Sequence, residues 1–275
     1  KGFRPALLNF AHDYNCGGGF EHAGGSQEED IFRKTSLFLS LWPHRRSDDG
    51  PGVLKRGLWI GDYDEALGRK EPFYPHTECG GIYSPHVRVV RDLKSRDTQL
   101  LDAESCERMP TFAVLTVAAQ NASRNPPFRP KLLLQKARTV LWMAASCGHD
   151  AVVLGAFGCG YFSNPPDAVA DAFQKLLGPD GEFENVFSLV VFAVIRGNSL
   201  PFVKRFPALR AAALPSATRL LRRSLDDSRN VAPPETTEDA EVLVNATGKG
   251  SDEGAPQAVE DDSEIRIMDC TRITD

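Results

Sequence analysis

The 275-residue sequence has no apolar run long enough to cross a bilayer, and no positively charged segment followed by an apolar stretch of the kind that leads a secreted chain. We therefore expect neither a membrane span nor a secretory signal, and a cytoplasmic or nuclear setting. Residue 1 is Lys rather than Met, so the natural N-terminus is expected to lie upstream. Paired metal-ligand spacing is missing too. Cys16, Cys79, Cys106, Cys147, Cys159 and Cys270 are scattered, which suits free thiols better than a disulfide framework or a zinc site. Neither glycine loop ends in Gly-Lys-Ser/Thr, which excludes a Walker loop, and the third glycine of the dinucleotide fingerprint is absent.

A strong overall charge is also lacking, but the net −5 hides a division. From Leu225 onward there are 14 acidic against 4 basic residues, leaving the first 224 residues near +5. A mildly basic body is compatible with a polyanionic ligand without identifying one. Past Leu225 hydrophobic clusters vanish, so residues 225–275 read as a disordered acidic tail that cannot bury enough apolar surface to offset its ordering entropy. Within it Ile265-Arg266-Ile267-Met268 is an isolated apolar patch, either a short binding motif or an idle one.

What is present starts with residues 4–11, a mostly apolar run that reads as a buried strand delivering a loop at its C-terminal end. The loop carries Gly17, Gly18 and Gly19, which let backbone turn freely and approach a ligand with no Cβ in the way. Seven residues later Gln27, Glu28 and Glu29 open an apolar-periodic stretch over 27–41. It reads as one helix with Ser26 as its cap and the acidic pair in its first turn. Residues 57–60 suit a short strand; 81–91 alternate apolar and charged positions as a partly exposed strand does. Residues 112–118 form a central strand, 129–147 a helix stopped by Gly148, 151–156 a second buried strand, 167–177 a helix and 186–195 a further strand. Residues 207–224 extend a body spanning 1–206 with basic helix. Alternating strands and helices imply an α/β sandwich with mainly parallel strands.

Each chemical feature has a plain structural counterpart. Gly158, Cys159 and Gly160, with Tyr161 and Phe162 after them and a helix N-terminus beyond, offer the amides and dipole that a pyrophosphate needs; an ordinary strand-to-helix turn looks the same. First-turn acids such as Glu28 and Glu29 also arise merely to complement the helix dipole. Adjacent helical residues point about 100° apart, a poor match to the facing carboxylates of ordinary glycosidases. A glycosidase built on this pair needs one acid to do both jobs, with burial or substrate opposing the helix dipole. His12, His22 and Cys159 admit a Cys-His nucleophile pair or plain loop residues. Tyr161 and Phe162 suit stacking on a sugar or base, and equally core packing.

Taken together, Leu8-Asn9-Phe10-Ala11, the glycine triplet, Gln27-Glu28-Glu29 seven residues on, Tyr83-Ser84-Pro85 and residues 154–160 with Phe162 and Asn164-Pro165 resemble the bacterial-type poly(ADP-ribose) glycohydrolases of the macrodomain superfamily. The resemblance implies a macrodomain-like three-layer α/β/α sandwich with a mainly parallel mixed sheet, followed by the disordered tail. It implies hydrolysis of ribose–ribose O-glycosidic bonds to ADP-ribose, with no metal and no cofactor. Poly(ADP-ribose) or ADP-ribosylated proteins are the implied partners, with no membrane or nucleic acid required. Carried over by position, Glu29 is the acid/base and Glu28 holds the terminal sugar. Asn9, His12, Gln27, Gly17 to Gly19, and Gly158 to Phe162 contact substrate. His12 stands where the family usually has Asn, and Cys16 where it usually has Pro. The family's preceding segment, with its adenine contact, has no counterpart here. Rival readings are an ADP-ribose reader without turnover, a mono-ADP-ribosyl hydrolase, and a scaffold for partners of the tail.

Overall fold

The computed structural model describes residues 2–20, 25–46, 70, 72–91, 99–124, 127–206, 210–212, 240–246 and 266–269. Within it β1 (Pro5–Ala11) is followed by α1 (Gln27–Lys34), α2 (Leu37–Leu41), β2 (Gly80–Val87), α3 (Ala103–Arg108) and β3 (Phe112–Ala118). Then come α4 (Pro130–Ser146), β4 (Ala151–Gly155), α5 (Pro166–Leu177), β5 (Leu189–Ile195) and α6 (Ser199–Arg205). Three short strands follow, β6 (Arg210–Ala212), β7 (Ala240–Ala246) and β8 (Arg266–Asp269). They form one sheet ordered β6-β7-β5-β4-β1-β3-β2-β8. The strands β5, β4, β1 and β3 at its centre run parallel, and the pairings outside them are antiparallel.

Both faces are covered, as the unbroken apolar runs of the central strands require. In β3, Ala113, Leu115 and Val117 face a core built with Leu133, Val140 and Leu141 of α4 and Phe173 of α5. The alternate residue Val114 faces the other side, with Phe32 of α1, Leu37 and Leu41 of α2, and Ile82 of β2. The result is the expected three-layer α/β/α sandwich. Its parallel strands all end on one edge, where the loops after β1, β3 and β4 emerge.

Tertiary contacts overrule local pattern at several places. The single helix expected over 27–41 is broken at Thr35, which bridges to Val89 while Thr35 Oγ1 donates to Ile31 O (2.8 Å) and Ser36 N donates to Arg88 O (2.8 Å). The strand expected through Arg91 stops at Val87 and is buried over most of its length, because β3 and β8 flank it and helices close its face. The capped helix α3, held by Asp102 Oδ1 accepting from Ser105 N (2.8 Å), adds an element that hydrophobic pattern did not reveal. Of the basic helical extension over 207–224, the three described residues are strand β6, paired with β7. Two pieces of the acidic tail are likewise strands: β7 runs along the whole of β5, and β8, which takes in most of the apolar patch, lies against Gly80 to Tyr83. The strand expected at 57–60 lies outside the described residues.

Among the described residues no helix is long and apolar enough to cross a membrane. Cys16, Cys79, Cys106, Cys147 and Cys159 are free thiols, and Cys270 lies outside the described residues.

Candidate active site

The site begins with Gln27, whose side-chain amide acts as a substitute strand partner. Its Nε2 donates to Leu8 O (2.7 Å) and its Oε1 accepts from Phe10 N (2.7 Å), bolting the first turn of α1 to β1. Sequence reading gave this residue to substrate; the structure uses both ends of its amide on backbone. With α1 so fixed, the next two side chains have defined directions.

Glu28 turns inward and is 1% exposed. Its Oε2 accepts the His12 backbone N–H (2.7 Å), and its Oε1 is buried without a hydrogen-bond partner among the described residues. Burial pushes this carboxyl well above the ordinary glutamic-acid value, and the neighbouring Glu29 charge adds to the effect. Bonds from His12 N–H, Asn9 and Gly17 N–H oppose it only in part. Of the pair, Glu28 is thus the member that holds its proton more tightly.

Glu29 also reaches the glycine loop and is 9% exposed. Gly19 N donates to its Oε1 (2.9 Å), while Ser26 N (3.0 Å) and the Ser26 hydroxyl both bond its Oε2. Burial alone would raise this carboxyl. The Ser26 hydroxyl and the N–H groups of Gly19 and Ser26 outweigh burial and hold it below its usual value. The two adjacent acids thus differ in exposure and in proton affinity.

The glycine triplet is shaped by these acids. Gly17 and Gly18 have φ of 74° and 61°, the left-handed region that glycine tolerates. A Cβ on Gly17 would lie 2.7 Å from the Phe32 ring, and one on Gly18 would lie 2.5 Å from Glu29 Oε1 and 2.9 Å from Glu28 Oε2. At Gly19 the nearest atom would be Glu29 Oε1 at 3.7 Å, ordinary contact. The first two glycines are required by the protein itself and the third leaves room for something else.

The loop after β4 forms the second wall. Asn164 Nδ2 donates to Gln120 O (2.9 Å) and Ala122 N donates to Phe162 O (3.0 Å), tying it to the end of β3. Gly158, at φ 72°, packs so closely on Asn164 and Ala119 that no Cβ fits, whereas Gly160 has open space. The N–H groups of Gly158, Gly160, Tyr161 and Phe162 have no acceptor among the described residues, which is what an anion cradle offers. Phe162 is buried and Tyr161 is 68% exposed. Burial pushes the Cys159 thiol up to about 12, which disfavours the thiolate that a nucleophile needs. His22 lies outside the described residues.

His12 links the two walls. Its ring lies 5.8 Å from that of Phe162 and 6.5 Å from that of Tyr161. Its Nδ1 accepts from Tyr14 N and Asn15 N, both at 3.0 Å, which puts the ring proton on Nε2. Burial lowers its proton affinity and Arg124 lowers it further, against the pull of Asp13 and Glu29. The Asp13 carboxylate 3.5 Å from Nδ1 is therefore a neighbour of a neutral ring rather than an ion-pair partner. Asn9, fully buried, reaches Thr116 Oγ1 with its Nδ2 (3.4 Å) and serves Glu28 from below.

Sequence reading missed the floor of the site. Lys136 is buried in α4, with Nζ on Ala118 O (2.8 Å) and its ammonium lowered to about 8 by burial. His76 donates its backbone N–H to Asp13 O (2.8 Å), and burial drops its ring to about 3. The Tyr74 phenol, raised by burial, packs in the same place. These residues come from a segment without periodicity and from the middle of a helix, where no local signal marks them.

The family model described as the microbial-type PARG catalytic domain matches residues 1–92. No match was found among the curated proteins. Among solved structures, the chain is similar to a glutamate-to-alanine mutant of poly(ADP-ribose) glycohydrolase from Thermomonospora curvata, at 30% identity over 75% of this chain and 72% of that chain, with a TM-score of 0.55. The enzyme of that organism bound to the inhibitor ADP-HPD matches with the same figures. Poly(ADP-ribose) glycohydrolase from Deinococcus radiodurans in complex with ADP-ribose is 31% identical over 75% of this chain and 76% of that chain, with a TM-score of 0.51.

Proposed function

The chain belongs to the microbial-type poly(ADP-ribose) glycohydrolase family, and on that premise we propose that it hydrolyses ribose–ribose O-glycosidic bonds of poly(ADP-ribose), releasing ADP-ribose, with Glu29 as the single acid/base. The observation that carries the reading is Glu29 itself. It is a carboxyl at the mouth of the glycine loop, beside Glu28, whose bond from the His12 N–H connects the acid pair to the loop of unengaged N–H groups.

In this mechanism the diphosphate of the terminal ADP-ribose rests on the N–H groups of the loop after β4. Glu28, in its buried seat, holds a hydroxyl of the terminal ribose. His12 Nε2–H donates to a ribose oxygen, as the Asn usual in the family can. Glu29 gives its proton to the leaving ribose oxygen as the anomeric C–O bond breaks and the ring becomes oxocarbenium-like. The resulting carboxylate then takes a proton from the water that attacks the anomeric carbon, and the acid is restored.

The free protein holds Glu29 on the wrong side of its proton equilibrium for the first step, since the donors on its oxygens stabilise the carboxylate. Bound substrate opposes this in two ways. It excludes water from the mouth and brings diphosphate charge near Glu29, both of which favour the protonated acid. The reading carries with it a cytoplasmic or nuclear setting, where ADP-ribosylated proteins are found.

The test is to incubate labelled polymer and, separately, a protein carrying single ADP-ribose units with the full chain. Free ADP-ribose from the polymer is the expected product. Release from the mono-modified protein alone would move the reading to a mono-ADP-ribosyl hydrolase, and binding without release would move it to a reader.

A further inference from the structure

We propose that Ser26 is a positioning residue for Glu29: its hydroxyl and backbone N–H hold one carboxylate oxygen while Gly19 N–H holds the other, making the helix cap and the reacting acid one unit. The inference rests on the role given to Glu29 above, and it assigns a function to a residue that otherwise reads as a simple cap.

An N-cap serine ordinarily spends its hydroxyl on the N–H of the second or third helical residue. Ser26 and Glu29 form a capping box, the serine side chain facing the Glu29 backbone N–H and the Glu29 carboxyl accepting the Ser26 N–H at 3.0 Å; beyond that box, the Ser26 hydroxyl also meets the same carboxylate oxygen. The opposite oxygen is met from the glycine loop, so the carboxyl is clamped from two separate segments. Rotation of the acid toward an anomeric centre, or its protonation, must loosen at least one of these bonds. Of the clamping groups, the Ser26 hydroxyl is the one that a side-chain substitution removes without touching the backbone.

Other charges near Glu29, among the described residues, do not replace this control. On its own helix Glu28 is buried with its carboxyl held well above its usual value, Asp30 is paired with Lys34 (2.8 Å), and Arg33 donates to Phe20 O (3.1 Å). From the loop after β1, His12 is neutral and stands beside Asp13, and Arg124 acts on the His12 ring. The loop after β4 presents no charged side chain between Gly158 and Asn164. The bonded donors therefore dominate the affinity of Glu29 for its proton.

The consequence has a definite sign. A general acid is active below its own titration point in the complex, so activity falls as pH rises through it. Without the Ser26 hydroxyl the carboxylate loses a stabilising donor, and that falling limb moves to higher pH. The maximal rate falls as well, because the acid is less well aimed, while KM changes little.

The experiment titrates the Glu29 side-chain carboxyl by carbon NMR in the full chain for wild type, Ser26→Ala, Ser26→Gly and Ser26→Thr, with Glu29→Gln to assign the signal. The pH profile of polymer hydrolysis is recorded alongside. Ser26→Gly keeps the N–H and is tolerated at a helix cap, which guards against a misfolded Ala variant. The expected result is an alkaline shift of the Glu29 titration in the Ala and Gly variants, reversed in Thr, with the kcat limb moving in the same direction. A folded Ala or Gly variant whose Glu29 titrates as in wild type overturns the proposal. A shifted titration with no polymer hydrolysis even by wild type leaves the clamp standing and removes the proposed function instead.

Discussion

The ring of His12 meets that of Phe162 edge-on, 5.8 Å between centroids, and so joins the loop that carries the glycine triplet to the loop that offers free N–H groups. The same residue's backbone N–H is bonded to Glu28 Oε2 at 2.7 Å. Acid pair and anion cradle are therefore mechanically connected through one residue. His12→Ala should weaken ADP-ribose binding about five- to tenfold, the equivalent of one lost hydrogen bond. His12→Asn, which keeps an acceptor and a donor, should retain most of the affinity. Isothermal calorimetry with ADP-ribose distinguishes the two, and equal losses would remove His12 from the substrate-binding set.

The glycines divide by what surrounds them. Gly18→Ala forces a Cβ to 2.5 Å from Glu29 Oε1 at a φ of 61°, and should abolish turnover while lowering the melting temperature. Gly19→Ala, with its nearest contact at 3.7 Å, should fold normally. Any loss of affinity in Gly19→Ala then reports a ligand lying on that residue. Thermal melts and substrate-binding curves for the two variants separate protein packing from ligand contact.

Gln27 is expected to matter through position rather than contact with substrate. Gln27→Ala removes two bonds to β1 and should cost about 2 kcal/mol, at about 1 kcal/mol for each hydrogen bond. Gln27→Glu keeps the size but has no N–H for the Leu8 carbonyl, so it should fall at least as far. Chemical denaturation reads both. A stable Gln27→Ala that has lost only binding would return the residue to the role that its place in the motif suggests.

Glu28 should leave a signature in stability against pH. Its folded-state carboxyl lies well above the ordinary value of 4.5, so its contribution to folding is complete below that value and is lost as pH rises through the folded-state titration. Above that point an ionised, buried carboxylate works against the fold. Glu28→Gln is neutral at every pH and should therefore match wild type near pH 4 and become progressively more stable than it toward alkaline pH. Melting curves across that range check it, and a constant difference would mean that Glu28 is not buried in its neutral form.

Much of this architecture was legible because it depends on local signals. Buried parallel strands are continuous apolar runs, as at Phe112–Ala118, and helices end at residues such as Gly148, which sits at φ 70°. Helical geometry alone separates adjacent side chains by about 100°, yet both carboxyls of the acid pair come up against Gly18. What the sequence hid was long-range. The helix breaks at Thr35 because Thr35 bridges to Val89 and Arg88 O takes the N–H of Ser36. Gln27 looks like a ligand residue until Leu8 and Phe10 are seen to occupy it. Lys136 and His76 reach the floor of the site only once α4 and the segment before β2 have packed. The strands β7 and β8 come from an acidic stretch whose composition favours disorder, and they pair because β5 and β2 present open edges.

The most direct measurement is single-turnover release of ADP-ribose from labelled polymer by wild type and by Glu29→Gln, with polymer binding measured on the same samples. The account predicts release by wild type, at least 100-fold slower release by Glu29→Gln, in line with the roughly 10²–10⁴-fold that a general acid supplies, and binding retained by both. Release by Glu29→Gln at the wild-type rate would contradict it.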